Sequence, residues 1–176
     1  GTISHGQMWA ILPQTWLGNL VGSVFVALLY SWGGGSLLPV DTSIVHSVAL
    51  AKTTAPATVL FFKGALCNWL VCLAIWMAIR TEGAAKFLAI WWCLLAFIAS
   101  GYEHSVANMT LFALSWFGHH SEAYTLAGIG HNLLWVTLGN TLSGVVFMGL
   151  GYWYATPKSE RPAPAKINQP EAAANN

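Results

Sequence analysis

Residues 100–109 read Ser-Gly-Tyr-Glu-His-Ser-Val-Ala-Asn-Met, and they lie inside an apolar stretch that extends from residue 87 to residue 117. One continuous helix of that length would measure about 46 Å, whereas the hydrocarbon core of a bilayer is about 30 Å thick. A glycine, a glutamate and a histidine in the middle of the stretch indicate a helix that is broken near residues 100–108. Such non-helical backbone is tolerated in a membrane where it is buried in protein or lines a cavity.

Three further apolar stretches flank this one, at residues 9–32, 57–79 and 132–154, and each is long enough to cross a bilayer. Only 7% of the 176 residues are charged, whereas a soluble domain normally has about 25%. We therefore predict an all-α polytopic membrane protein with a channel domain over residues 1–156. The remaining residues, 157–176, are rich in Pro, Ala, Asn and charge, which predicts a disordered tail.

The distribution of charge predicts orientation and excludes one class of partner. The net charge is +1 and the basic residues form no stripe, so nucleic acid is not expected as a partner. Basic residues occur between the second and third stretches and in the tail, but none occurs in residues 118–131. The positive-inside rule therefore places that connection and the tail in the cytoplasm. The cysteines fall in apolar runs without a metal-binding pattern, and we expect neither a metal nor a cofactor.

A short motif occurs twice in the chain. Leu17-Gly18-Asn19 in the first stretch recurs as Leu138-Gly139-Asn140 in the last, and the derived orientation makes the two copies run in opposite directions. Such a pair is typical of an inverted-topology repeat. The alternative is ordinary small-residue packing between membrane helices. If the repeat is genuine, two partner helices are missing from this chain, and we predict that the functional protein is longer.

His104 and Glu103 are the candidate functional residues of the break, because intramembrane ionisable groups usually mark an ion or proton pathway. An imidazole donates hydrogen bonds to an anion when neutral and becomes a cation near physiological pH. For Glu103 we favour a structural role, in which the carboxylate caps backbone N–H groups freed by the break.

Three polar residues lie outside the break. Asn68 is at mid-depth of the second stretch, where it either bonds Glu103 or His104 or joins two helices. Lys63 is expected to extend outward along an apolar stem. Lys52 either raises the local anion concentration at the outer mouth or is simply a solvated loop charge.

These segments resemble the formate/nitrite transporter family. The resemblance is carried by residues 67–74 (Cys-Asn-Trp-Leu-Val-Cys-Leu-Ala), by residues 103–109 (Glu-His-Ser-Val-Ala-Asn-Met) and by the Leu-Gly-Asn repeats. It implies an aquaporin-like inverted repeat of six spans, a homopentamer in the bacterial inner membrane and one pore in each protomer. Two spans of that pattern, with a loop that faces the pore histidine, are not in this sequence.

The resemblance also implies roles for individual residues. His104 would be the central pore histidine, with Asn68 and Glu103 as its hydrogen-bonding surroundings and Asn108 on the same pathway. Phe97 and Val71 would line hydrophobic constrictions, and Lys52, with Lys63, would belong to the outer funnel.

We therefore expect a channel, not an enzyme, that passes small monovalent anions, above all nitrite, with proton coupling at His104. One alternative is a neutral-solute channel of the ammonia or water type. The other is a haem-bearing membrane anchor of a redox enzyme, against which the lack of a second mid-span histidine argues.

Overall fold

The computed structural model describes residues 5–35 and 43–157, and every regular element in these ranges is helical. Except for its first residue, the predicted tail lies outside the described residues. The helices are α1 (His5–Trp32), α2 (Ile44–Thr53), α3 (Ala57–Arg80), α4 (Gly83–Ala99), α5 (Ser105–Phe117), α6 (Leu126–Leu142), a π-helical segment (Ser143–Leu150) and α7 (Gly151–Ala155).

Three helical stretches are long and apolar enough to cross a membrane: Trp9–Trp32, Ala57–Arg80 and Leu126–Ala155. The last is continuous through the π-helical segment and α7. Helices α4 and α5 are shorter apolar helices, and together they occupy the stretch for which the sequence predicts a broken span. The all-α polytopic class with a broken helix is confirmed.

The break begins with a glycine that ends α4 at Ala99. Gly101 has φ +62°, a left-handed conformation that other residues adopt only under strain. The N–H of Gly101 donates to the carbonyl of Ile98 and the N–H of Tyr102 donates to that of Phe97, both at 3.1 Å. This pair of bonds is the Schellman motif, which satisfies carbonyls at a helix end. The helix resumes at Ser105, so the non-helical segment is shorter than the predicted 100–108.

Two glycines let α3 and α6 approach each other closely. A Cβ atom on Gly139 would collide with the backbone carbonyl of Phe61, and one on Gly64 would lie 2.9 Å from the carbonyl oxygen of Val136. Because neither residue has a side chain, the two backbones are in direct contact, as small residues allow between membrane helices. This contact places the polar residues of α6 beside the break.

The remaining helices surround that pair. Helix α1 packs against α5, α4 packs against α3, and α2 lies on α5 and α6. The buried apolar cluster between them contains Ala49, Met109, Phe112, Tyr124 and Leu133.

Two features differ from the sequence-based expectation. Helix α2 forms within the connection between the first two apolar stretches, for which no helix was predicted. Helix α6 begins at Leu126, six residues before the predicted start at 132, because the hydroxyl of Thr125 accepts a bond from Gly128 N–H and caps the helix.

Candidate functional site

A closed ring of polar contacts joins α2, the break, α5 and α6. The ammonium of Lys52 lies 2.8 Å from Oε1 of Glu103, and the amide nitrogen of Asn108 donates to Oε2 of Glu103 at 2.6 Å. The same nitrogen donates to the amide oxygen of Asn132 at 2.9 Å. Asn132 Nδ2 donates in turn to the backbone carbonyl of Lys52 at 2.9 Å. Glu103 is 4% exposed and Asn132 is 0% exposed, so this buried carboxylate is stabilised by a full set of partners.

Asn140 of α6 holds the break against α3. Its Nδ2 atom donates to the carbonyls of Gly64 at 2.8 Å and Glu103 at 3.0 Å. Its Oδ1 atom accepts the N–H of Ser105, the first residue of α5, at 3.0 Å. The backbone carbonyl of Asn140 accepts a bond from Asn68 Nδ2 at 2.7 Å. The donor and acceptor atoms of the Asn140 amide therefore join backbone groups of α3, the break and the start of α5.

His104 is the N-cap of α5. Its Nδ1 atom accepts the N–H of Ala107 at 3.3 Å, so the proton of the neutral imidazole is on Nε2. Within the described residues Nε2 forms no hydrogen bond, and it is a donor available to an anion. The imidazole lies 6.1 Å from the ring of Phe97, measured between centroids. The N-terminus of α5 beside it carries the partial positive charge that favours anions at helix starts.

One expectation for Glu103 is wrong. Its carboxylate does not cap freed backbone N–H groups; it binds Lys52 and Asn108. The caps are supplied by His104 and by Asn140. Glu103 precedes the N-cap by one residue, whereas it is the side chain of the N-cap residue that reaches the N–H groups of the first turn.

The contacts of Asn68 and Lys52 distinguish between the alternatives that the sequence left open for each. Asn68 bonds the backbone of Asn140 and neither Glu103 nor His104, so it joins α3 to α6. Lys52 is not a solvated loop charge, since it lies on α2, is 18% exposed and is paired with Glu103. Asn108 is buried in the polar ring.

Two cavities have a basic residue in their lining. One, of about 340 Å³, is lined by Lys52, Lys63, Gly101 and Glu103 among others, and its basic residues are those predicted for the outer funnel. The other, of about 330 Å³, lies between α3 and α4 and is lined by Val71, Lys86 and aliphatic side chains. A basic residue is therefore present in the lining of each cavity.

Asn132 and Asn140 are site residues for which the sequence analysis predicts no specific role. Asn140 was visible as the last residue of the repeated Leu-Gly-Asn motif, and an amide repeated on two membrane helices is a signal of a shared contact. Asn132 had no such signal, since it lies near the predicted end of a span, where polar residues are common. Within the described residues no group of three or more His, Cys, Asp or Glu side chains is arranged to hold a metal ion.

The three apolar helices that are long enough to cross a membrane, together with the broken apolar helix between them, define a polytopic membrane protein. Residues 1–154 match the sequence model of the family described as formate/nitrite transporter. The chain belongs to the formate/nitrite transporter family.

Known proteins similar to this chain are transporters and channels. The nitrite transporter NirC of Salmonella typhimurium is 99% identical over 176 residues, which are 100% of this chain and 65% of that protein. NirC of Escherichia coli is 91% identical over 174 residues, 99% of this chain and 65% of that protein. The chain therefore spans about two thirds of the length of these curated relatives.

Solved structures have the same fold. A structure described as an FNT family ion channel superposes with a TM-score of 0.87 at 99% identity and covers 89% of this chain and 63% of that one. A pentameric formate channel with formate bound has a TM-score of 0.74 at 25% identity, over 88% of this chain and 69% of that one.

Proposed function

We propose that this chain forms the larger part of a channel for nitrite and similar small monovalent anions, with His104 at the centre of the pathway. The observation that carries the proposal is the bond from Ala107 N–H to His104 Nδ1, which leaves the Nε2 proton to donate. A dehydrated anion needs such a donor, since the dehydration cost is otherwise uncompensated. Two relatives above 90% identity are named nitrite transporters, which supports nitrite as the anion.

The other candidate residues would line the pathway on either side of His104. Lys52 and Lys63 line one cavity and would attract anions to its mouth. Phe97 lies beside His104 and Val71 lines the other cavity, so each would make the path narrow and apolar. Glu103 and Asn108 belong to the polar ring beside His104, and Asn68 joins α3 to α6.

We also propose proton coupling, a location in the bacterial inner membrane with the C-terminus in the cytoplasm, and a homopentameric assembly. Coupling follows if the anion recruits a proton onto His104, since imidazole titrates near neutral pH. Arg80 and Lys86 at the turn between α3 and α4 support the orientation. The pentameric neighbour supports the assembly.

Substitutions of His104 test the proposal in full-length protein reconstituted in liposomes. We expect His104→Gln to keep a donor near the Nε2 position but to lose titration, so that nitrite flux persists while its dependence on pH disappears. His104→Phe should abolish flux, because nothing replaces the lost donor. His104→Asn keeps the cap but shortens the reach of the donor, and it serves as the matched control for capping.

The result against the proposal is a wild-type pH profile in His104→Gln, which would place the proton sensor elsewhere. Rapid ammonia or water movement without nitrite current in the wild-type protein would favour the neutral-solute channel instead. A haem absorption band in the purified protein would favour the redox anchor.

A further inference from the structure

The cavity between α3 and α4 has a single charged residue in its lining. Besides Lys86, it is lined by aliphatic side chains of the two helices, among them Val71, Ile79 and Leu94, and its volume is about 330 Å³. At about 30 Å³ for each water molecule, this space has room for about ten waters. A small anion therefore fits into it together with much of its hydration shell. We call this cavity the Lys86 groove.

The Lys86 groove and the other basic cavity lie towards opposite ends of α3. Helix α3 contributes residues 59, 60 and 63 to the other cavity, whereas it contributes residues between 71 and 79 to the groove. Asn68 lies between these two groups and donates to the carbonyl of Asn140, whose amide binds the break. Along this membrane-crossing helix, the level of the break is therefore between the two cavities.

One face of α4 connects the Lys86 groove to the break. Lys86, Ile90 and Leu94 line the groove at intervals of four residues, which places them on the same face of the helix. Phe97 continues this face by three residues, and its ring lies 6.1 Å from that of His104, measured between centroids. The helix rises about 16 Å from Lys86 to Phe97. The face therefore extends from a cation at the start of α4 to the candidate anion donor at its end.

The charge of Lys86 is available at the mouth of the groove. Lys86 lies in the first turn of α4, is exposed and forms no salt bridge within the described residues. Arg80, the other basic residue at this end of the two helices, is held elsewhere. Its guanidinium carbon lies 4.0 Å from the centroid of the Trp76 ring, which is a cation–π contact.

We propose that the Lys86 groove is the half of the anion pathway on the side of the α3–α4 connection, and that Lys86 concentrates anions at its mouth. The inference rests on the proposed function and adds a route from His104 to this side of the membrane. Aliphatic walls do not distinguish an anion from a cation, so the one charge in the lining sets the preference. Even in a water-like dielectric, a unit charge about 7 Å away changes the local concentration of a monovalent ion about threefold.

The wide groove and the narrow centre then have different tasks. In the groove an anion keeps its water, and the ammonium of Lys86 raises its concentration. Dehydration is left to the apolar constriction at Phe97, where the imidazole of His104 replaces lost water as a hydrogen-bond donor.

The first test measures the electrostatic potential in the groove with charged thiol reagents, on full-length Ile90→Cys protein in lipid nanodiscs. We compare the reaction rates of an anionic and a cationic methanethiosulfonate, and the protein without Ile90→Cys corrects for native cysteines. At an ionic strength of about 0.01 M, Lys86→Gln should lower the ratio of anionic to cationic rate about ninefold, with about threefold from each reagent. At about 1 M the difference should disappear, because the Debye length falls to about 3 Å.

Two further variants are the controls for this measurement. Lys86→Arg keeps the charge and should keep the wild-type ratio. Arg80→Gln removes the same charge from the same end of the helices, but from a side chain held on Trp76, so the ratio should stay close to that of the wild type.

The second test measures nitrite flux in liposomes at low ionic strength, with nitrite supplied on the side of the α3–α4 connection. We expect Lys86→Gln to raise the nitrite concentration for half-maximal flux about threefold. The maximal flux should not change, because the charge acts on the local concentration and not on the step at His104. Lys86→Arg and Arg80→Gln should both resemble the wild type.

An unchanged ratio of reagent rates in Lys86→Gln, or an unchanged concentration for half-maximal flux, would overturn the inference. Failure of both reagents to reach position 90 would also overturn it, since lipid or another helix of the longer protein would then fill the groove. If the wild-type protein passes no nitrite, the proposed function fails, and the ratio of reagent rates still decides whether Lys86 sets the potential in the groove.

Discussion

Asn140 is placed so that its amide binds backbone groups on both sides of the break and on the neighbouring helix α3. The backbone groups that it binds come from α3, from the break and from the first residue of α5. An amide is the side chain that does this, because it has two donor hydrogens and an acceptor oxygen without a charge. A carboxylate at this position would face two carbonyl oxygens.

We expect Asn140→Leu to lower the free energy of unfolding by about 2–5 kcal/mol, because three buried backbone groups lose their partner at about 1–3 kcal/mol each, with some relaxation. Thermal unfolding in detergent measures the effect. The matched control is Thr141→Ala on the same helix, where the exposed hydroxyl bonds only the carbonyl of Thr137. Equal melting temperatures for the two variants would show that Asn140 does not hold the break.

At this scale the sequence predicted which ionisable residues lie at the break, but not which residues they contact. Glu103 and His104 stand out because charge is rare in an apolar stretch. The partner of Glu103 could not be predicted, since Lys52 lies 51 positions earlier on a helix whose place depends on the packing of α2. The cap on α5 could have been predicted from the position of His104 directly before the resumed helix.

Among the helices, the contact between α3 and α6 depends on Gly139. We expect Gly139→Ala to force the helices apart and to cost more than about 3 kcal/mol, since the added methyl would meet backbone atoms that cannot move aside. Size-exclusion profiles and thermal unfolding in detergent measure this loss of stability. Gly130→Ala on the same helix has nothing within 4 Å of the added methyl, and it should be neutral or stabilising by up to about 1 kcal/mol.

The repeated motif makes a second prediction about glycine, for α1. A Cβ atom on Gly18, which matches Gly139 in the repeat, meets nothing within 4 Å in this structure. If α1 docks in the longer protein as α6 docks on α3, Gly18→Leu should disrupt the full-length protein about as strongly as Gly139→Leu. Full stability of the Gly18→Leu variant would favour ordinary small-residue packing over an inverted repeat.

The predicted helix bounds were most accurate where the length of an apolar run determines them. They were least accurate where a capping residue determines them. Helix α3 runs to residue 80 and its predicted stretch to 79, because a long apolar run has few alternatives in a membrane. The start of α6 was placed six residues late because Gly128 and Gly130 are typical of a loop in soluble proteins, whereas membrane helices tolerate glycine. Helix α2 has only ten residues, and an amphipathic pattern this short cannot be distinguished from the sequence of a connecting loop.

At the scale of the whole molecule, many large apolar side chains point away from the described core. Trp9 is 67% exposed, Trp32 is 79% exposed and Tyr154 is 80% exposed. Such a surface would be covered by lipid, by the helices present only in the longer relatives, or by neighbouring protomers. The expected homopentamer accounts for part of it.

We expect native mass spectrometry of the full-length protein in a mild detergent to show a pentamer. The reason is that apolar faces not covered within one protomer can be buried between protomers arranged in a ring. Treatment with a harsh detergent should dissociate the assembly and serves as the control. Monomers alone under the mild condition would contradict the assembly.

The π-helical segment Ser143–Leu150 has a consequence for the length of the chain. A π turn closes its hydrogen bond over five residues where an α turn uses four, so it accommodates more sequence in the same run of helix. The segment lies between Asn140, which holds the break, and Tyr152, whose ring is 4.4 Å from that of Trp76. A distant relative that is one residue shorter here could close the same interval with α turns and keep both contacts. We therefore expect the fold to tolerate the deletion of a single residue between Asn140 and Tyr152.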